Sequence, residues 1–182
     1  MAQARRALVA TPASSERLAR GRQVGYGCVG MAGRIDTATR VIHASPRAVA
    51  DAFAAPERMM AWLPPKGMTG RALDFDYREG GRYQIELTYE AGGTGKTSAT
   101  TDIAAGRFVK LEPARIVMSV EFASADPAFA DEMMMSWTFE PVPGGTQVTV
   151  VAEHVPAGIS ADDHAAALAS TLTNLARCVE AA

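Results

Sequence analysis

Apolar positions recur with two different periods along this chain, and the change of period divides it. Over residues 160–182, Leu168, Leu172, Leu175 and Val179 fall at i, i+4, i+7 and i+11, which is one stripe of a helix, and no Gly or Pro breaks the run. Ser160 is placed to cap that helix, and Asp162 and Asp163 put negative charge in its first turn, where the helix dipole favours it. Before it, from residue 70 onward, the period is two. Residues 72–76 predict a short strand. Tyr83, Ile85, Leu87 and Tyr89 then alternate with Arg82, Gln84, Glu86, Thr88 and Glu90, the pattern of a half-buried antiparallel strand. Residues 97–111, 115–122, 133–142 and 146–155 read as four further strands, divided by Gly- and Pro-bearing turns.

The start of this region is mixed. Residues 35–44 form a β-prone run with Thr37, Thr39, Val41 and Ile42. Ser45-Pro46 then switches the chain into a helix, Ser45 as cap and Pro46 at its first position, with Val49, Ala52 and Phe53 as the apolar face. Pro56 starts a second short helix through Met59, Met60, Trp62 and Leu63, and Pro64-Pro65 ends it. The last helix needs a surface to lie on. Burying its four stripe residues contributes about 6–12 kcal/mol gross, at about 1.5–3 each, and the strands are the only candidate partner. The expected class is α+β: an antiparallel sheet of about seven strands with the helices segregated to one side.

Composition narrows the picture. A chain of 182 residues, 48% hydrophobic and 21% charged, suits one ordinary globular core. No apolar run approaches the ~18 residues of a membrane span. Cys28 and Cys178 make no disulfide framework and have no metal-ligand spacing, which favours a reducing, cytoplasmic setting. Residues 1–33 hold five Arg and one Glu, net +4, which leaves thirteen basic and nineteen acidic groups, net −6, in residues 34–182. An acidic domain does not invite nucleic acid. The basic segment lacks sustained periodicity and reads as a disordered extension, with Met31 as a candidate working start and a transit peptide as the alternative.

Several motifs carry less than they suggest. Gly25, Gly27 and Gly30 spell G-x-G-x-x-G without the preceding strand and following helix of a dinucleotide site. Gly93-Thr94-Gly95-Lys96-Thr97 resembles the end of a phosphate loop, but position 90 is Glu and no helix follows, so a hairpin tip is expected. His43, His154 and His164 have no metal-ligand partner at usable spacing and no nucleophile elbow nearby, so core or solvated histidines are expected, with no catalytic residue, metal or cofactor. Met133, Met134 and Met135, with Met118, Met59, Met60 and Met68, either fill the core or form a soft pocket wall with Trp62, Tyr83, Tyr89 and Trp137 as its rigid part.

The run Thr39-Arg40-Val41-Ile42-His43-Ala44-Ser45-Pro46-Arg47-Ala48-Val49 resembles the start of the START/Bet v 1-like superfamily (SRPBCC). Phe53, Pro56, Trp62-Leu63-Pro64-Pro65 and the turn from Asp76 to Gly80-Gly81-Arg82-Tyr83 resemble its branch related to the activator of heat-shock protein 90 ATPase. Trp137-Thr138-Phe139 and Gly144-Gly145-Thr146-Gln147-Val148-Thr149-Val150 fit the late strands. The resemblance covers residues 39–179, and it is carried by the order and spacing of these pieces. It implies a helix-grip fold over residues 34–182, a curved sheet around the C-terminal helix with a cavity between them. It also implies binding of apolar or aromatic small molecules, or chaperone regulation. The eukaryotic activator contacts the chaperone through a separate N-terminal domain, which residues 1–33 are too short to replace.

The expected function is binding of a hydrophobic small molecule in a cavity lined by Trp62, Tyr83, Ile85, Leu87, Met118, Met135, Trp137, Leu168 and Leu172. Tyr hydroxyls and Trp N–H groups would orient the ligand rather than react with it. Two alternatives stand beside it: an enzyme of the polyketide cyclase/dehydratase kind using the same cavity, and a stress-response interaction module. A buried Glu or His facing an enclosed pocket, or a raised carboxyl pKa, favours the enzyme. A large apolar patch on the outer sheet face favours the module. No membrane partner is expected, and a homodimer is left open.

Overall fold

A computed structural model describes residues 33–91 and 95–181. The expected extension over residues 1–33, the G-x-G-x-x-G run, Met31, Cys28 and the first part of the Gly93–Thr97 loop lie outside the described residues, apart from Gly33. The described elements follow the order β1 (Arg34–Ile42), α1 (Pro46–Asp51), α2 (Pro56–Trp62), β2 (Met68–Phe75), β3 (Arg82–Tyr89), β4 (Thr101–Glu112), β5 (Arg115–Phe122), a 3-10 turn (Pro127–Phe129), β6 (Met133–Val142), β7 (Gly145–Val155) and α3 (Ala161–Glu180). The strands form one antiparallel seven-stranded sheet in the order β1-β7-β6-β5-β4-β3-β2, so β1 and β2 are its edges. With α3 and the two short helices, this is the α+β helix-grip architecture.

The local chemistry explains the elements. Ser45 accepts a hydrogen bond from the Ala48 N–H and caps α1, and Ser160 accepts one from the Asp163 N–H and caps α3. Leu168, Leu172 and Leu175 of the α3 stripe are buried against the sheet side, and Val179 packs at its margin. Side chains of α3 also hold the Pro64-Pro65 loop: Thr171 Oγ1 donates to the Leu63 carbonyl at 3.1 Å, and Asn174 Nδ2 to the Pro64 carbonyl at 2.8 Å.

Two strand boundaries differ from the expectation. β2 starts at Met68 rather than residue 72, because the chain from Met68 to Ala72 pairs with β3 from Tyr89 to Ile85. A Cβ on Gly70 would sit 2.8 Å from Pro64 Cγ, so glycine lets the strand pass under that loop. β4 starts at Thr101 rather than residue 97, because local side chains capture the backbone first. Ser98 Oγ accepts from the N–H groups of Thr100 and Thr101, and Thr97 Oγ1 from that of Ile103.

Replacing Leu172 with Asp buries an unpaired charge at a position 2% exposed. Urea denaturation of Leu172→Asp is expected to show a loss of about 3–5 kcal/mol or outright failure to fold. A variant as stable as the wild type would contradict the packing of α3 on the sheet.

Candidate functional site

A cavity of about 1060 Å³ opens between the sheet and α3. Seven of the nine residues expected on its wall are there. Tyr83, Ile85 and Leu87 come from β3, Met118 from β5, Met135 and Trp137 from β6, and Leu168 from α3. The period-two faces of the three strands bring the sheet residues together. The Tyr83 hydroxyl is not free: it donates to the Ser119 carbonyl at 2.6 Å, and burial pushes its pKa far up. Gly106 makes room for that bond, since a Cβ there would collide with the Ser119 carbonyl.

The other two, Trp62 and Leu172, do not line the cavity. Trp62 is fully buried behind it, its indole N–H donating to the Ala52 carbonyl at 3.0 Å. Its ring centroid lies 4.6 Å from that of Phe53 and 5.5 Å from that of Trp137, in an aromatic cluster of which Trp137 lines the cavity. Leu172 packs with Leu175 under the helix. Apart from Leu168, the cavity instead follows the flank of α3 carrying Ala167, Ser170, Thr171 and Asn174, about a quarter of the way around the helix from the leucine stripe.

Two polar groupings interrupt the apolar wall. In the first, Asp102 on β4 is 3% exposed at its side chain and accepts from Lys96 Nζ at 2.5 Å, from the Lys96 N–H, and from the Tyr89 hydroxyl at 3.4 Å. Lys96 Nζ also stands 4.9 Å from the centre of the Phe122 ring. Burial, then the Asp102 carboxylate, pushes the Tyr89 hydroxyl pKa up.

In the second, His164 in the first turn of α3 is buried on the cavity wall, and its Nδ1 lies 2.7 Å from Asp36 Oδ2 on β1. Arg34 Nε donates to the same carboxylate oxygen at 3.1 Å, and Arg34 Nη1 donates to the Ile159 carbonyl at 2.6 Å. Burial works to raise the Asp36 carboxyl, but the hydrogen bonds from His164 and Arg34 outweigh it and hold the pKa below its ordinary 3.8.

His164 is therefore neither a plain core histidine nor a solvated one. Two sequence signals point to it. The α3 stripe extended one turn back from Leu168 lands on His164. At the start of β1 the polarity is inverted, with Ile35 57% exposed and Arg34 and Asp36 turned in. A bulge contributes to that end of the sheet: Arg34 pairs with Val155 and Asp36 with Ala152, so β7 carries an extra residue, and His154 within it has φ 57°. Among the described residues no group of three His, Cys, Asp or Glu side chains is placed to hold a metal ion, and no helix is long and apolar enough to cross a membrane.

The family model described as Activator of Hsp90 ATPase homolog 1-like protein matches residues 43–180. A crystal structure of a protein from Chromobacterium violaceum is 29% identical and aligns over 80% of this chain and 96% of its own, with TM-score 0.72. A crystal structure of a protein from Rhodobacter sphaeroides shares the fold at 19% identity, covering 81% and 99% of the two chains, with TM-score 0.65. The solution structure of an AHSA1-like protein from Aeromonas hydrophila does so at 20% identity, 81% and 93% coverage and TM-score 0.60. No curated protein matches the chain.

Two stability measurements test these groupings. Asp102→Ala leaves Lys96 facing a buried space without its partner and is expected to cost about 3 kcal/mol, the low end for a broken buried pair because the Lys96 side chain keeps 19% exposure. The double variant Lys96→Met/Asp102→Leu is expected to be more stable than Asp102→Ala, and the reverse order would show that the pair is not coupled. For Asp36, the folded pKa is lower than the unfolded one, so between the two the unfolded state binds more protons and stability falls with falling pH. The Asp36 contribution is thus complete above the ordinary 3.8 and lost as pH drops through the folded value. Acid titration of Asp36→Asn should show a shallower loss of stability below about pH 4 than the wild type; an unchanged acid limb would contradict the bonding of Asp36.

Proposed function

The chain belongs to the Activator of Hsp90 ATPase homolog 1-like protein family, and from that premise we propose that it binds a hydrophobic or aromatic small molecule between the sheet and α3. The observation that carries this reading is the cavity itself. Its volume of about 1060 Å³ is at the upper end of what small-molecule sites need, and Ile85, Leu87, Met118, Met135 and Leu168 supply its apolar wall. The methionines give that wall adaptable shape, and Trp137 backs it with a rigid aromatic surface.

A second reading, an enzyme working by proton transfer in the same cavity, draws support from His164, a buried imidazole held by a carboxylate on the cavity wall. The accompanying carboxyl, Asp36, is shifted down rather than up, which suits an orienting group and not a general acid. The interaction-module reading has less support. The large exposed apolar side chains Ile35 and Val41 lie on one edge strand, Leu73 on the opposite edge strand and Val109 on β4, so they make no single patch.

Titration with the neutral dye Nile red tests the primary reading. Its fluorescence should rise on binding, with quenching of Trp137. Met118→Trp, which fills the middle of the cavity, is expected to weaken binding about tenfold, or about 1.4 kcal/mol. Dye that fails to bind, or binds Met118→Trp as well as wild type, would remove the small-molecule reading, and mass spectrometry of compounds retained by the native protein would then be expected to find none.

A further inference from the structure

We propose that the cavity recognises its apolar ligand by a weakly acidic hydroxyl, that of a phenol or an enol, which donates a hydrogen bond to His164 Nε2. This rests on the small-molecule reading above and adds the chemistry of the ligand's polar end.

His164 is 8% exposed and on the cavity wall. Its Nδ1 faces a carboxylate oxygen of Asp36 at 2.7 Å. A carboxylate only accepts, so the ring hydrogen sits on Nδ1, and in the neutral imidazole Nε2 is left with its lone pair. Nε2 has no hydrogen-bond partner among the described residues and is not among the fully buried atoms. Of the two ring nitrogens of this cavity-lining residue, it is the one Asp36 leaves unpaired.

The arrangement is fixed from behind. Arg34 holds Asp36 through Nε at 3.1 Å and is itself tied to the Ile159 carbonyl. The carboxylate therefore cannot turn away and release the other tautomer. Two other polar side chains on the wall are already engaged: Lys96 is paired with Asp102, and the Tyr83 hydroxyl is spent on Ser119, while the cations Lys66 and Arg177 on the wall only donate. His164 Nε2 differs in accepting from nothing. A ligand that fills the cavity displaces solvent from this nitrogen and must supply a donor, or leave the acceptor unpaired at a cost. A hydroxyl on an apolar frame meets that demand, and its methyl ether does not.

Naphthol and its methyl ether, each displacing Nile red, give the test. The experiment is run at about pH 8. Wild type is expected to bind naphthol about tenfold more tightly than the ether. Long-range proton–nitrogen NMR reads the tautomer directly, and with only three histidines in the chain the His164 signals are assignable. They should show Nδ1–H in the free protein and a change at Nε2 on adding naphthol and not the ether.

Asp36 is a positioning residue in this scheme. In Asp36→Asn the amide can donate to Nδ1 and move the ring hydrogen to Nε2, so the naphthol preference should vanish while the ether still binds, and the spectrum should report Nε2–H. His164→Phe should lose the same preference. Should either variant fail to fold, the wild-type spectrum decides, and an Nε2–H or doubly protonated ring overturns the proposal. Equal binding of naphthol and ether to wild type also overturns it, leaving the apolar cavity in place. Failure of both compounds to bind overturns the cavity reading with it.

Discussion

A helix is narrower than the sheet it has to cover. With its side chains an α-helix is about 10–12 Å across, whereas seven strands spaced by about 4.8 Å make a sheet about 29 Å wide. One long helix cannot remove the whole inner face from water. In this fold α3 packs towards β1, while the turn after α1 and the end of α2 carry Phe53 and Trp62 into an aromatic cluster with Trp137 and Phe139. Between the covered margins the helices meet the inner face of the middle strands only in part, and the space left over is the cavity. The space is thus a geometric consequence of the architecture.

The polar groups near the cavity obey a different constraint. A buried charge is tolerated when its partner and its remaining hydrogen-bonding capacity are both accounted for. Asp102 meets this with an ammonium, a backbone N–H and a phenol, and Asp36 with an imidazole and a guanidinium. Such pairs contribute little net stability compared with apolar residues of the same volume. Their effect is on placement. The Asp36 pair ties the first strand to the first turn of the last helix, and the Asp102 pair ties the loop before β4 to the strand's first turn of the pleat.

How much of this the sequence revealed depended on whether one face of an element was uniformly apolar. β3 announces its inner face because Tyr83, Ile85 and Leu87 alternate with charged and polar neighbours, and all three do line the cavity. The leucine stripe of α3 was equally plain, but a stripe says which face is buried, not which part of the burial is empty. Leu172 is consequently core, and the cavity runs beside Ala167, Ser170 and Asn174, whose small or polar side chains leave space. Trp62 resembles a wall residue because it precedes a stiff loop; its neighbour Trp137 is remote in sequence, and only the packing of the two rings shows that Trp62 stands behind the wall. Asp36 and His164 lie 128 residues apart, so no spacing rule joins them. Their signal was inversion, a charge where the inward position of β1 should be apolar.

The order of the elements has a consequence for how the molecule comes into being. β2 to β6 form a simple meander of neighbours, but β1 must wait for β7, and the pairing of Arg34 with Val155 closes a loop longer than 100 residues. α3 comes later still. While the chain is being made, the meander can assemble with its concave face open and its first strand unattached, a trough with an unpaired edge. Loop-closure entropy delays the last two events, and the open trough is the species most exposed to sticking to its own kind. The speed at which β1 and α3 arrive then sets how long that trough stays open.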